Sequence, residues 1–470
     1  MPKETELLDH FNRLSHFEQS LLLLLSIIYE PAHTTLLVNS LRRLDLNNPR
    51  GNRPTAVNLN HYLAKLEQLG FITAEHRVVS QLVEIFTRKT ITEGTFSAYA
   101  GIIREEAPAS YYYGKWSTRC WRAMRELRIG IYSQDFDLIE EAASFISSQC
   151  RDLVCSAPPL VQVITEPFDP EWFGSLPLSF RFYLLNAILR HAQASLTAYP
   201  DIHAFLEVEQ QSAALSPDEQ LPFKRLLFNQ YLLQGDFKGS EKLLRSSEDS
   251  FRGTGAWGTL LFLQGRFTES LERYTQDLHF LQTLQQDERV AFFGISGLFF
   301  ILARLHASGE QDYHAIAEQI AVTLSLFHSA PENNAYSYLA TLVHSRIDRS
   351  TSQTEINLPE NGPSHSLTLA FASLCQYWLA STIQPFIEAE IISSYSRAKE
   401  SGYLLLAAIY GEILAKLHND PEPFRAGHDD LRARTGITSF LPLFEPEEPW
   451  KRALQALINI TSSDDPRNRF

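Results

Sequence analysis

Gly253-Thr254-Gly255-Ala256-Trp257-Gly258 has the G-x-G-x-x-G spacing that can cradle a dinucleotide pyrophosphate. That chemistry needs a strand before the glycines and a parallel sheet around them. The flanking sequence supplies neither, so the expectation is a loop between two helical hairpins. Gly114-Lys115 is followed by Trp116 rather than Ser or Thr, and Ala109 stands where an earlier phosphate-loop glycine would fall, so no Walker A is present. No H-E-x-x-H occurs, and His10 with His16, or His191 with His203, are too far apart to share a helix face as metal ligands. Gly294-Ile295-Ser296-Gly297 lacks the spacing of a nucleophile elbow and sits in an apolar, helix-like segment, which reads as a close-packing site. The carboxylate pairs Glu140-Glu141 and Asp429-Asp430 lie on sequences that read as solvated helix faces or turns. No catalytic constellation emerges, and the expectation is a chain that is not an enzyme, with no cofactor, no metal and no small-molecule substrate.

The basic residues carry more signal. Arg42 and Arg43 end one helical segment, Arg50 and Arg53 lie in the turn before the next, Lys65 lies on the outer face of that next helix, and Arg77 follows it. Arginine and lysine in such a ring can hold phosphates, while Asn58 and His61 on the enclosed helix can reach base edges. These eight are the candidate DNA-binding residues, diluted by Glu67, Glu75 and Glu84. A second cluster runs from Tyr111-Tyr112-Tyr113 through Lys115, Trp116, Arg119, Trp121, Arg122, Arg125 and Arg128. Interleaved aromatics and cations can stack bases, yet Arg122, Arg125 and Arg128 also make one face of a helix with Trp121, Met124 and Leu127 on another, and a helix packing the first domain onto the solenoid is the preferred reading.

Three helices must position the first cluster. Ser15 and Glu18 form a capping box that opens a helix to about Tyr29, Pro31 separates it from Thr34 to Leu44, and a turn-rich stretch follows. Thr55 then caps a helix with Leu59, Leu63, Leu66 and Leu69 on its apolar face, ended by Gly70. Phe71-Ile72-Thr73 and Arg77-Val78-Val79 can pair as a short hairpin, although Val78 to Lys89 can equally be one helix. Three helices and a hairpin resemble the winged-helix form of the helix-turn-helix.

From about residue 120 the chain reads as helical hairpins. In "LLFNQYLLQGDFKGSEKLL" and "WGTLLFLQGRFTESLERY", Gly235 and Gly265 are each followed two positions later by Phe, then by Ser240 or Ser270. This resembles tetratricopeptide repeats of irregular spacing, whose apolar faces must stack on their neighbours. The resemblance implies that the first helix of each hairpin lines a concave face. Tyr231, Gln234, Gln264 and Arg266, which close those helices, are therefore the candidate partner-binding residues.

The chain has 470 residues, 44% hydrophobic and 20% charged, with a formal net charge of -14. Such a balance supports an ordered chain of two or more domains or one repeat array, and argues against coating nucleic acid through overall charge. The longest apolar run, Leu21 to Ile28, is too short to span a bilayer. Cys120, Cys150, Cys155 and Cys375 show no spacing of a zinc site or disulfide framework, so a soluble chain in a reducing cytoplasm is expected.

The expected fold is all-α: a winged-helix-like domain over residues 1–100, a tetratricopeptide-like α-solenoid over 101–450 with a loop at 350–365, and a tail at 451–470. This order of elements is similar to the non-catalytic N-terminal region of large bacterial Swi/Snf-family helicase-like ATPases. With this resemblance the expectation is a scaffold that binds a protein partner or docks onto a helicase-like assembly, its N-terminal domain supplying a docking or a duplex-DNA contact, while the short apolar run implies no membrane association. The alternative is a DNA-binding transcriptional regulator with a helical sensor region.

Overall fold

The computed structural model describes residues 4–109, 115–150, 157–287, 289–307, 312–326, 333–347, 366–380, 383, 385–418 and 422–436. The expected loop at 350–365, the tail at 451–470 and the Tyr111-Tyr112-Tyr113 run lie outside these. Among the described residues the secondary structure is helical, with one isolated antiparallel bridge, Ile72 to Val78. The all-α reading holds. The chain divides into two compact units, Met1–Ile188 and Leu189–Phe470.

The first unit contains α1 (Glu4–Asn12), α2 (His16–Ile28), α3 (Thr34–Arg43), α4 (Ala56–Gln68), α5 (Ser80–Thr92), α6 (Phe96–Glu106), α7 (Trp116–Ser133), α8 (Phe136–Gln149), α9 (Pro159–Thr165) and α10 (Pro170–Ser175). The predicted caps are present. The Ser15 hydroxyl accepts from the Glu18 amide while the Glu18 carboxylate accepts from the Ser15 amide, Thr55 caps α4, and Gly70 follows α4 in the left-handed conformation. The expected hairpin is reduced to the single bridge, flanked by Thr73 N to Arg77 O at 2.7 Å and Val79 N to Phe71 O at 3.0 Å. Val78 stays in the bridge and the helix begins at Ser80, so the chain combines a one-bridge remnant of the hairpin with most of the alternative helix. Helices α2, α5 and α6 pack together, and the buried ring of Phe86 on α5 meets those of Phe11 and Phe71 in tilted contacts.

Helices α7 and α8 form a tight antiparallel hairpin. Gly130 lies so close to α8 that an added Cβ would stand 2.9 Å from Ile139. Here one expectation is corrected: Cys120 and Cys150 are joined in a disulfide, both buried. Their 30-residue separation is centred on Asp135, the residue that caps α8 at the hairpin turn, so an antiparallel hairpin brings them level. Arg125 and Arg128 of the arginine cluster are buried in this helix, where they act as packing residues of the first unit.

The second unit contains the C-terminal part of α11 (Leu178–Ser195), then α12 (Pro200–Glu209), α13 (Pro217–Gln234), α14 (Phe237–Ser246), α15 (Glu248–Phe251), α16 (Ala256–Leu263), α17 (Phe267–Gln285), α18 (Gly294–Ala307), α19 (Tyr313–Leu326), α20 (Asn333–Ile347), α21 (Ser366–Ala380), α22 (Pro385–Glu400), α23 (Leu404–Leu417) and α24 (Glu422–Thr435). Most helix pairings join sequence neighbours, as stacked hairpins require, and α13 additionally packs on α23. Gly235 and Gly265 turn the two clearest hairpins with φ of 72° and 76°. Ser270 is buried and donates to the Gly258 carbonyl at 2.7 Å, which is the close helix approach that a small residue permits.

The glycine-rich stretch 253–258 spans the turn between α15 and α16 and the first three residues of α16. Its amides are occupied from within: Asp277 Oδ1 accepts from Gly253 N and Oδ2 from Gly255 N, both at 3.1 Å. An aspartate thus fills the concavity that a phosphate would need.

Candidate functional site

In the second unit, α12 and α13 pack side by side. Residues three and four apart share a helix face, so α12 presents Pro200, His203, Ala204 and Glu207, and α13 presents Gln230 and Gln234. Between them lies a cleft of about 270 Å³. Tyr199 at the head of α12 and the turn Ser401–Tyr403 between α22 and α23 complete its walls.

Long-range hydrogen bonds fix that far wall. The Ser401 hydroxyl donates to the Leu196 carbonyl, and the Tyr403 hydroxyl donates to the Thr197 carbonyl at 3.3 Å. Burial, with the neighbouring Tyr199 hydroxyl, pushes the Tyr403 phenol well above its ordinary range, so it stays protonated as a donor.

The near wall is held by a carboxylate. Tyr231 donates its hydroxyl to Glu207 Oε1 at 2.9 Å, and His203 Nδ1 stands 3.8 Å from the same oxygen. Burial and then the Glu207 hydrogen bond raise the Tyr231 phenol far above its usual value. The rings of His203 and Tyr231 meet edge to face at 5.6 Å. His203 Nε2 is buried with no hydrogen-bond partner, and the amide of Gln230, a residue 5% exposed, makes no hydrogen bond among the described residues. Gln234, one turn further along, makes none through its side chain either.

Of the four candidate partner-binding residues, the fold brings Gln234 into the lining of this cleft, while Tyr231 stays outside the lining and touches it through its hydrogen bond to Glu207. Gln264 and Arg266 are not part of it; Arg266 is exposed and paired with Glu269, three residues along. Sequence reading missed His203, Glu207, Gln230, Tyr199 and Tyr403. The i, i+4 pairs His203 with Glu207 and Gln230 with Gln234 were the available signal. Nothing local to Tyr403 announces its place opposite residues some two hundred positions earlier.

The candidate DNA-binding residues divide in two. Arg42 donates through Nε to the Pro54 carbonyl at 3.0 Å, Arg43 pairs with Glu105 and Glu106, and Lys65 Nζ donates to buried Glu18 at 2.6 Å. Arg77 lies over the Trp121 ring at 4.0 Å and lines a cavity of about 90 Å³ with Tyr29, Glu84 and Arg128. Arg50, Arg53, Asn58 and His61 remain exposed, and beside them Val57 is 81% exposed on α4.

Among the described residues, no group of three His, Cys, Asp or Glu side chains could hold a metal ion, and no helix is long and apolar enough to cross a membrane. Comparison of the chain with known protein families, curated proteins and solved structures gives no match in any of the three.

Proposed function

We propose that the chain is a non-catalytic interaction module whose second unit holds a protein partner in the α12–α13 cleft, as part of a larger assembly. Docking onto a helicase-like machine is the role that the N-terminal order of elements suggests. The observation that carries this reading is His203 Nε2, a buried ring nitrogen without a hydrogen-bond partner in a cleft where the Gln230 and Gln234 amides are also unpaired. A buried polar group left unsatisfied costs about 1–3 kcal/mol, a cost that a ligand bearing amide groups would remove. At about 270 Å³ the cleft falls just below the usual range for small-molecule sites, which suits an inserted side chain.

Affinity purification from the native cell tests it. The unmodified chain should retain a defined partner that Gln234→Ala loses while melting at nearly the same temperature, since substitutions away from core features usually change stability by less than about 0.5 kcal/mol. Equal retention by both chains would remove the cleft from the interaction.

The second reading is a DNA-binding regulator, favoured by Arg50 and Arg53. Neither spends its guanidinium on an intramolecular partner among the described residues, and the exposed face of α4 beside them offers Asn58, His61 and Val57. Arginines can hold phosphates, an amide can reach adenine, and an apolar side chain can contact a thymine methyl. Salt-dependent binding of duplex DNA by the whole chain is the deciding measurement.

A further inference from the structure

We propose that the α12–α13 cleft takes an alkylammonium group, from a lysine side chain or a free amine, with Glu207 as its counter-ion and Tyr199 and Tyr403 as its walls. The inference rests on the partner-holding role assigned to this cleft and names the chemistry it would recognise.

Charge decides the class. Among the residues that line the cleft, Glu207 is the carboxylate, and no lysine or arginine accompanies it. An anionic ligand would meet this carboxylate with only the His203 imidazole, charged only when protonated, to offset it, whereas an ammonium would find an opposite charge. Glu207 is also held in place for the task. Its Oε1 is tethered by the Tyr231 hydroxyl at 2.9 Å, while Oε2 accepts no hydrogen bond among the described residues. The side chain is 48% exposed, so that oxygen is open to a ligand.

The walls suit the same group. Tyrosine rings attract a cation through their negative faces, and Tyr403 is anchored by its hydroxyl to the Thr197 carbonyl, so its ring keeps its place. Gln230 and Gln234, one turn apart on α13, offer amide oxygens and amide N–H groups to whatever polar chain carries the ammonium.

Calorimetric titration of the full chain tests the proposal with four probes: Nα-acetyl-lysine methylamide, its uncharged analogue Nα-acetyl-norleucine methylamide, which ends one atom sooner, n-butylamine and glutarate. The expected result is that the lysine derivative binds at least tenfold more tightly than the norleucine one. Glu207→Gln should lose at least tenfold in affinity for it while melting at an unchanged temperature, because the new amide oxygen still accepts from Tyr231. Butylamine binding as tightly as the lysine derivative would assign the ammonium to a free amine; much weaker butylamine binding would assign it to a polypeptide lysine. Equal binding of norleucine and lysine derivatives, preference for glutarate, no binding by any probe, or no effect of a folded Glu207→Gln would each overturn it. Should Glu207→Gln unfold, the comparison of lysine with norleucine on the unmodified chain decides alone. Loss of amine binding alongside a Gln234-dependent partner would sink the ammonium and leave the interaction role standing.

Discussion

Arg128 and Glu84 meet inside the first unit, with Arg128 Nε donating to Glu84 Oε1 at 2.9 Å and both side chains buried. Tyr132 donates to the other Glu84 oxygen at 2.6 Å, while Arg128 reaches the Ser26 carbonyl at 3.1 Å and the Thr87 hydroxyl at 3.2 Å. This network joins α2, α5 and α7. Removing one member leaves the other as an uncompensated charge, so Arg128→Met should lower the unfolding free energy by about 3–5 kcal/mol in urea titration. The double change Arg128→Met with Glu84→Leu should cost less than the sum of the two single changes. Simple additivity would show that the pair is not energetically coupled.

The Cys120–Cys150 disulfide ties the open end of the α7–α8 hairpin, where Trp116 Nε1 also donates to the Gln149 carbonyl at 2.7 Å. A cross-link closing a loop of this length restricts the unfolded chain by about 3–4 kcal/mol. Cys120→Ser with Cys150→Ser should therefore melt several degrees lower than the oxidised chain, and a reductant should produce the same fall in the unmodified protein. An identical melting temperature with and without reductant would count against this stabilisation.

Two carboxylates give the acid limb of stability opposite slopes. Burial works to raise Glu18, but the hydrogen bonds from Lys65 and Ser15 outweigh it and hold the group below its ordinary 4.5. The unfolded chain then takes up a proton first, so this contribution is full above 4.5 and lost as pH falls through the lower folded value. Asp277 behaves in reverse. Burial raises it above 3.8 against the pull of the Gly253 and Gly255 amides, so its contribution is lost as pH rises from 3.8 through the higher folded value. Thermal unfolding from about pH 3 to 7 should show a flatter acid limb in Glu18→Gln and a steeper one in Asp277→Asn. The same pH profile in all three proteins would refute both assignments.

The cations around α4 should separate by function. If the chain binds duplex DNA, Arg50→Ala with Arg53→Ala should weaken it and reduce the salt slope by about two, one for each phosphate left without its arginine. Lys65→Met should instead act on stability, because it strips buried Glu18 of its cation. Electrophoretic mobility shifts over a salt series, paired with melting curves, distinguish the two effects. A DNA defect in Lys65→Met equal to that of the arginine pair would overturn the division.

Much of the helical architecture was legible residue by residue. The Ser15–Glu18 capping box, the Thr55 cap, Gly70 after α4 and the Gly235 and Gly265 turns all depend on groups within a few positions of one another. Chain order fixes such groups before any tertiary contact forms. The apolar spacing of α4 likewise buries Leu59, Leu63 and Leu66 as its period requires. The disulfide was within reach, since its cysteines are symmetric about the hairpin turn at Asp135, but only once antiparallel pairing of the two helices is assumed.

What the fold alone decided are the partnerships between distant segments. Lys65 reads as a phosphate contact until Glu18, 47 residues earlier, is seen to claim it. The glycine-rich turn reads as an empty cradle until Asp277 enters it from α17. The cleft exists because Ser401 and Tyr403 bond to carbonyls of Leu196 and Thr197 more than two hundred residues away. Periodicity states which face of a helix is buried, but many faces have the same apolar character. Which two meet is set by the combined burial of the whole unit, and with it the polar residues left lining the space between them.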